Sequence, residues 1–148
     1  MAQDAELLLR VLVAGLLAAA LGWERESAGK SAGLRTHVLV GMSACLFVVA
    51  GEAAAHQYPV SQAIIRIEPF AIIQAVAVGV GFLGSGVVFM SKEGNRVHGL
   101  TTAASVWATA AIGLTAGFGR FLLAAGATVL LLVALRGLRR FDHTRQPQ

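Results

Sequence analysis

Two glycine-rich runs without a Lys, Arg, Asp or Glu, Pro69 to Ser91 and Val97 to Gly119, constrain what this chain can fold into more than any other feature. Each exceeds the roughly 20 residues that an α-helix needs to cross a bilayer. Only the short charged turn Lys92-Glu-Gly-Asn-Arg96 separates them. With 56% hydrophobic and 14% charged residues in 148, the chain lies outside the soluble globular range. The class is therefore an all-α, polytopic membrane protein whose first partner is the lipid bilayer. The net charge of +4 does not point to nucleic acid, because the basic residues sit between apolar segments and form no separate patch. A single cysteine, Cys45, excludes an intramolecular disulfide and supplies no metal-ligand spacing.

Five spans are expected, at about 7–23, 36–51, 69–90, 98–117 and 120–136, in a membrane domain over 1–140 with a polar tail at 141–148. Acidic residues near the N-terminus replace the basic region of a secretory signal, so the first apolar segment is read as retained. Arg10 lies about a turn inside it and is expected to snorkel to the near interface. The connector from Glu52 to Glu68 carries an apolar patch at Ile64, Ile65 and Ile67 that suits a short interfacial helix.

Orientation follows from the cations. Arg25, Lys30, Arg35, Lys92, Arg96, Arg136, Arg139, Arg140 and Arg145 fall on one side, against Arg10, Arg66 and Arg120 on the other. The positive-inside rule then puts the N-terminus out and the C-terminus in. Both charged connectors, 24–35 and 91–98, face the cytoplasm. A weak parallel repeat pairs Gly33-Leu-Arg-Thr36, opening the second span, with Gly99-Leu-Thr-Thr102, opening the fourth.

Two soluble-protein signatures occur literally and fail on context. Gly79-Val-Gly-Phe-Leu-Gly84 fits a dinucleotide fingerprint, but it lies within an apolar run at membrane depth. Ala28-Gly-Lys-Ser31 lacks the first glycine and the preceding strand of a phosphate loop. No cofactor is implied. Gly79, Gly81, Gly84, Gly86, Gly99, Gly113 and Gly117 are better explained as close-packing positions, since helix association in lipid depends on backbones approaching over small residues. Thr102, Ser105 and Thr109 form a hydroxyl stripe opposite Leu100, Trp107 and Leu114, while Gln74 and Ser85 share a face of the third span. If those two polar faces meet, they form either interhelical hydrogen bonds or a polar path for an ion. Gly113-Leu-Thr-Ala-Gly117 is a dimerisation pattern that leaves a homo-oligomer open.

The charged connectors carry the other candidates: Glu24, Arg25, Glu26, Lys30, Arg35, Thr36 and His37 in one, with Asn95, Arg96 and His98 in the other. Glu26 and Lys30 have the favourable i,i+4 order for a helix. Glu24 and Glu26 are the carboxylates available to a metal such as magnesium, but three neighbouring cations make them a poor cage. No Ser-His-Asp order, paired acids or zinc spacing occurs, and the chain is read as no enzyme.

Leu21-Gly-Trp-Glu-Arg-Glu26, Gly29-Lys-Ser-Ala-Gly-Leu-Arg-Thr-His37, Gly81-Phe-Leu-Gly-Ser-Gly86, Gly99-Leu-Thr-Thr-Ala-Ala104, Trp107 and Ala110-Ala-Ile-Gly113 together resemble the MgtC/SapB family of bacterial inner-membrane proteins. The resemblance runs from about Arg10 to Gly119. It implies a non-enzymatic regulatory membrane protein linked to magnesium homeostasis and growth at low magnesium. Some members are linked to virulence through survival inside macrophages, and the best-studied branch restrains the F-type ATP synthase. Longer members add a cytoplasmic ACT-like domain after the fifth span, whereas this chain stops about a dozen residues past it. It also has Arg66-Ile-Glu-Pro-Phe70 where many members have an Asp-Pro-Ser-Arg segment. The expected activity is contact with other membrane proteins through the two cytoplasmic connectors. The alternative is a small transporter or channel for magnesium or protons along Gln74, Ser85, Thr102, Ser105 and Thr109.

Overall fold

Every regular element in the structure, a computed structural model that describes residues 2–57, 69–89 and 99–142, is a helix. In order they are α1 (Ala2–Ser27), α2 (Leu34–Gln57), α3 (Pro69–Phe89), α4 (Leu100–Gly117) and α5 (Phe121–Asp142). The first four are long and apolar enough to cross a membrane by length and composition, and the apolar part of α5, Phe121–Gly137, is shorter.

Three helices run further than the hydropathy pattern alone predicts, α5 among them, to Asp142. The polar residues Glu24 to Ser27 remain helical at the end of α1, and α2 continues six residues beyond Gly51, to Gln57. A charge ends an apolar pattern without ending a helix when a partner takes it up, and Glu52 has one. Arg10 Nη1 donates to Glu52 Oε2 at 2.6 Å and to the Gly117 carbonyl at 3.1 Å, and Arg10 Nη2 donates to Glu6 Oε1 at 2.7 Å. Arg10 thus bridges the ends of three helices, where snorkelling was expected. Residues 52–57 of the connector are the last turns of α2, and the patch at Ile64, Ile65 and Ile67 on which an interfacial helix was expected lies outside the described residues.

Real stop signals end α1 and α4. Gly29 has φ +66° and Gly119 has φ +72°. At α1, Gly29 N–H donates to the Glu26 carbonyl and Lys30 N–H to the Arg25 carbonyl. At α4, Gly119 N–H donates to Ala116 and Arg120 N–H to Thr115. Each is the paired-bond C-terminal cap that leaves one residue in the left-handed region, where glycine has no Cβ penalty. The phosphate-loop lookalike Ala28-Gly-Lys-Ser31 is thereby accounted for as a helix end.

The core is the trio α1, α2 and α4. Helices α1 and α2 run antiparallel, with Gly22 against Leu34 and His37, and Ala18 against Gly41. Helices α2 and α4 run parallel, with Gly113 on the Gly41 carbonyl and Gly117 on Val48. A Cβ at Gly22 would sit 2.7 Å from the Leu34 Cα, and one at Gly117 would sit 2.8 Å from the Val48 Cβ. Those helices can approach so closely only through glycine, as expected where dispersion replaces the hydrophobic effect. Many of the buried residues are accordingly small, among them Ala14, Ala18, Ala44 and Ala116, while many large apolar side chains face out: Leu122 is 90% exposed, Phe70 80% and Phe82 79%. Helices α3 and α5 pack on the outside of this trio.

The paired glycine-rich spans therefore do not share one role. A Cβ added at Gly79, Gly81 or Gly86 would meet nothing within 4 Å, and at Gly84 it would make only ordinary contact with Ala103. Gly113 and Gly117 pack as expected, but against α2, with no part played by α3. Gly99 works through its backbone, as the left-handed residue (φ 92°) at the N-cap of α4.

Candidate functional site

The last turn of α1 carries Glu24 and Arg25 into the bundle. Their side chains are 4% and 3% exposed, and Arg25 Nε donates to Glu24 Oε2. Two opposite charges on one buried turn neutralise each other, and removing either strands the other in low dielectric. Glu26, on the outer face, turns to α2, where its Oε2 accepts the Leu34 N–H at 2.8 Å. A carboxylate suits that position because the first N–H groups of a helix are unsatisfied and its N-terminus is electropositive. Gly33 makes room, since a Cβ there would lie 2.6 Å from Glu26 Oε2. The expected Glu26–Lys30 pair does not form, because α1 ends at Ser27 and Lys30 is past the cap, exposed.

His37, one turn into α2, is fully buried beneath Gly22. Its Nδ1 is 2.8 Å from the Gly33 carbonyl, which can only accept, so Nδ1 carries the proton. Its Nε2 is 3.2 Å from Ser105 Oγ on α4. The Ser105 hydroxyl also lies 2.8 Å from the Thr102 carbonyl, so its one proton has two acceptors. With a neutral ring it can serve Nε2; with a doubly protonated ring Nε2 donates and Ser105 turns to Thr102. Chemically the arrangement can pass a hydrogen bond between helices and hold a tautomer. His37 has no exposed surface through which a substrate would reach it.

Of the expected intramembrane polar face, Thr102, Ser105 and Thr109 are buried together on the inner side of α4, whereas Gln74 and Ser85 are exposed on α3. The two faces do not meet. Ser85 Oγ donates to the Phe82 carbonyl and Thr109 Oγ1 to the Ser105 carbonyl, each within its own helix. Such back-bonding satisfies a hydroxyl in an apolar surrounding without a neighbour. Trp107 is exposed, and Leu114, expected on its stripe, is buried.

Among the connector residues, Glu24, Arg25 and His37 are interior, while Glu26, Lys30, Arg35 and Thr36 are on the surface. Asn95, Arg96 and His98 lie outside the described residues, and so does the expected contact of the 91–98 turn with the 24–37 connector. Glu24 and Glu26 point apart, each engaged by another group, and among the described residues no three His, Cys, Asp or Glu side chains gather as metal ligands. The cluster of Arg10 with Glu6, Glu52 and Gly117 was missed from the sequence. A signal was present: Arg10 and Glu52 lie at nearly equal distances from the α1–α2 turn, so antiparallel packing sets them side by side.

A family model described as "MgtC family" matches residues 11–144, nearly the whole chain. The chain belongs to the MgtC family. Protein YhiD of Escherichia coli K12 is 38% identical over 131 residues, covering 88% of this chain and 60% of that protein. Protein SrpB of Synechococcus elongatus is 38% identical over 142 residues, covering 90% and 75%. Protein MgtC of Salmonella typhimurium is 37% identical over 127 residues, covering 86% and 50%. The chain thus spans between half and three quarters of the length of these relatives. No solved structure matches. Membership, with four helices of spanning length and composition, makes this a multi-pass membrane protein.

Proposed function

We propose that this protein is a non-enzymatic regulator that lies in the bacterial inner membrane and acts by contact with other membrane proteins, in support of magnesium homeostasis and low-magnesium growth. The observation that carries the reading is the division of the α1–α2 joint. Its buried residues are the Glu24–Arg25 pair within α1 and His37, which packs under Gly22 of α1 and ties α2 to Ser105 of α4, and its surface residues, Lys30, Arg35 and Thr36, are displayed on that base. A rigid joint with a cationic exterior suits recognition, where little entropy is then lost on contact. The reading includes five spans with the N-terminus outside. The nine-to-three division of cations supports that orientation. The 17 residues of Phe121–Gly137 in α5 would span about 26 Å, close to the thinner bilayers. The F-type ATP synthase is the partner to test first. Pull-down from membranes at matched protein levels, comparing Lys30→Ala/Arg35→Ala with the parent, should show loss of the captured partner and of low-magnesium growth together. Unchanged capture and growth would refute the proposal.

A second reading, transport of magnesium or protons, draws on a relative named as a candidate magnesium transporter, YhiD. Within this chain it would use the buried column Thr102, Ser105 and Thr109 on α4. Reconstituted liposomes test it directly: flux abolished by Ser105→Val would favour transport over regulation.

A further inference from the structure

An apolar groove of about 750 Å³ opens between α2 and α3, walled by Leu39, Ser43 and Phe47 on one side and Ala75, Gly79 and Leu83 on the other. Its volume lies within the roughly 300–1,000 Å³ of small-molecule sites. It follows α2 from Leu39 to Gly51, about 18 Å at 1.5 Å per residue, somewhat more than one leaflet of a hydrocarbon core about 30 Å thick. The groove exists because α3 leans on α4 and leaves its Gly79 face without a neighbour, so that a Cβ at Gly79 would meet nothing within 4 Å.

The two ends of the groove differ in charge. Beyond Leu39, one turn toward the start of α2, Arg35 and Thr36 are exposed, and among the described residues Arg35 has no ion-pair partner. Thr36 continues the groove-facing stripe of α2, three and four residues before Leu39 and Val40. At the opposite end, next to Gly51, stands Glu52, whose carboxylate is held by Arg10. Among the described residues, one mouth therefore has an unpaired cation and a hydroxyl beside it, while Glu52 at the far end is turned away from the groove to Arg10 of α1.

We propose that the α2–α3 groove is a binding site for an anionic phospholipid, with one acyl chain lying along Gly79 and Phe47 and the phosphate held by Arg35 and Thr36. An acyl chain fits a channel with these apolar walls and this length, and the asymmetry of charge fixes which way round the lipid sits. Guanidinium and hydroxyl groups are the donors that recognise phosphate oxygens, and Arg does so with two parallel N–H bonds.

The test is lipid retention by the purified full chain after reconstitution in nanodiscs of equal phosphatidylglycerol and phosphatidylethanolamine, followed by mild detergent extraction and native mass spectrometry. The parent should retain one phospholipid per chain, with phosphatidylglycerol favoured about fivefold, the effect of one Arg or Lys near an anionic headgroup. Gly79→Leu obstructs the middle of the groove without touching the 24–37 connector, and should abolish retention while the protein stays helical and monodisperse. Arg35→Gln should keep a lipid and lose the headgroup preference. Three results would overturn the proposal: retention in bulk proportion by the parent, retention undiminished in Gly79→Leu, or a disulfide-linked dimer of Gly79→Cys that holds no lipid, which would give the groove to a second copy of the chain.

Discussion

Helices α3 and α4 are both apolar and rich in glycine and small residues, and they meet opposite fates. In α4 the small residues are consumed: Gly113 and Gly117 lie on α2, and Thr102, Ser105 and Thr109 are interior. In α3 the glycines at 79, 81 and 86 face open space, with Val78 and Phe82 beside them. Glycine content in a membrane helix therefore measures how closely a neighbour could approach, and the bundle decides whether one does. The polar joint follows the same division, since Glu24, Arg25, His37 and Ser105 all belong to the core trio and none to α3.

Substitutions in the trio and in α3 should separate accordingly, read as unfolding midpoints in mixed micelles. Arg25→Ala should have the largest effect, destabilising by about 3–5 kcal/mol, because Glu24 is left buried and unpaired. Glu24→Gln combined with Arg25→Met should recover much of that loss; if it does not, the pair holds the fold by more than mutual neutralisation. Gly113→Ala follows, at about 3 kcal/mol, the upper end of overpacking, since its Cβ would strike the Gly41 carbonyl, a backbone atom that cannot swing aside. Ser105→Ala should cost about 1–2 kcal/mol by leaving His37 Nε2 without a partner. Thr109→Val in the same column should cost less, because the Thr109 hydroxyl bonds only to its own helix. Gly79→Ala should shift stability by no more than about 0.5 kcal/mol. A cost at Gly79 equal to that at Gly113 would break the distinction between the two helices.

Much of the fold could be read from residue order. Uncharged runs longer than a bilayer require helices, because backbone groups in lipid must be satisfied within the segment. Gly33 and Gly99 mark matching starts of α2 and α4, where the first helical bonds run from His37 N–H to Gly33 and from Ala103 N–H to Gly99. Those two helices enter in the same sense and pack in parallel. The candidate site was half legible. Glu24, Arg25, Glu26 and His37 stood out as a crowded connector, yet nothing in their order separates the buried pair from the capping carboxylate. That depends on α1 staying helical to Ser27, which turns Glu24 and Arg25 inward and Glu26 outward.

By itself the sequence determined where the five helices lie and, through glycine, where α1 and α4 stop, since hydropathy and glycine caps act along the chain, while the full lengths of α1, α2 and α5 were not legible in hydropathy. Only the tertiary structure decided which glycines are filled, that Arg10 joins Glu52 across 42 positions, and that His37 meets Ser105. The physical reason is that lipid is as apolar as the side chains facing it. Hydrophobicity then drives a segment into the membrane without choosing its neighbour, and the choice passes to close backbone contact and to a few buried charges that need partners.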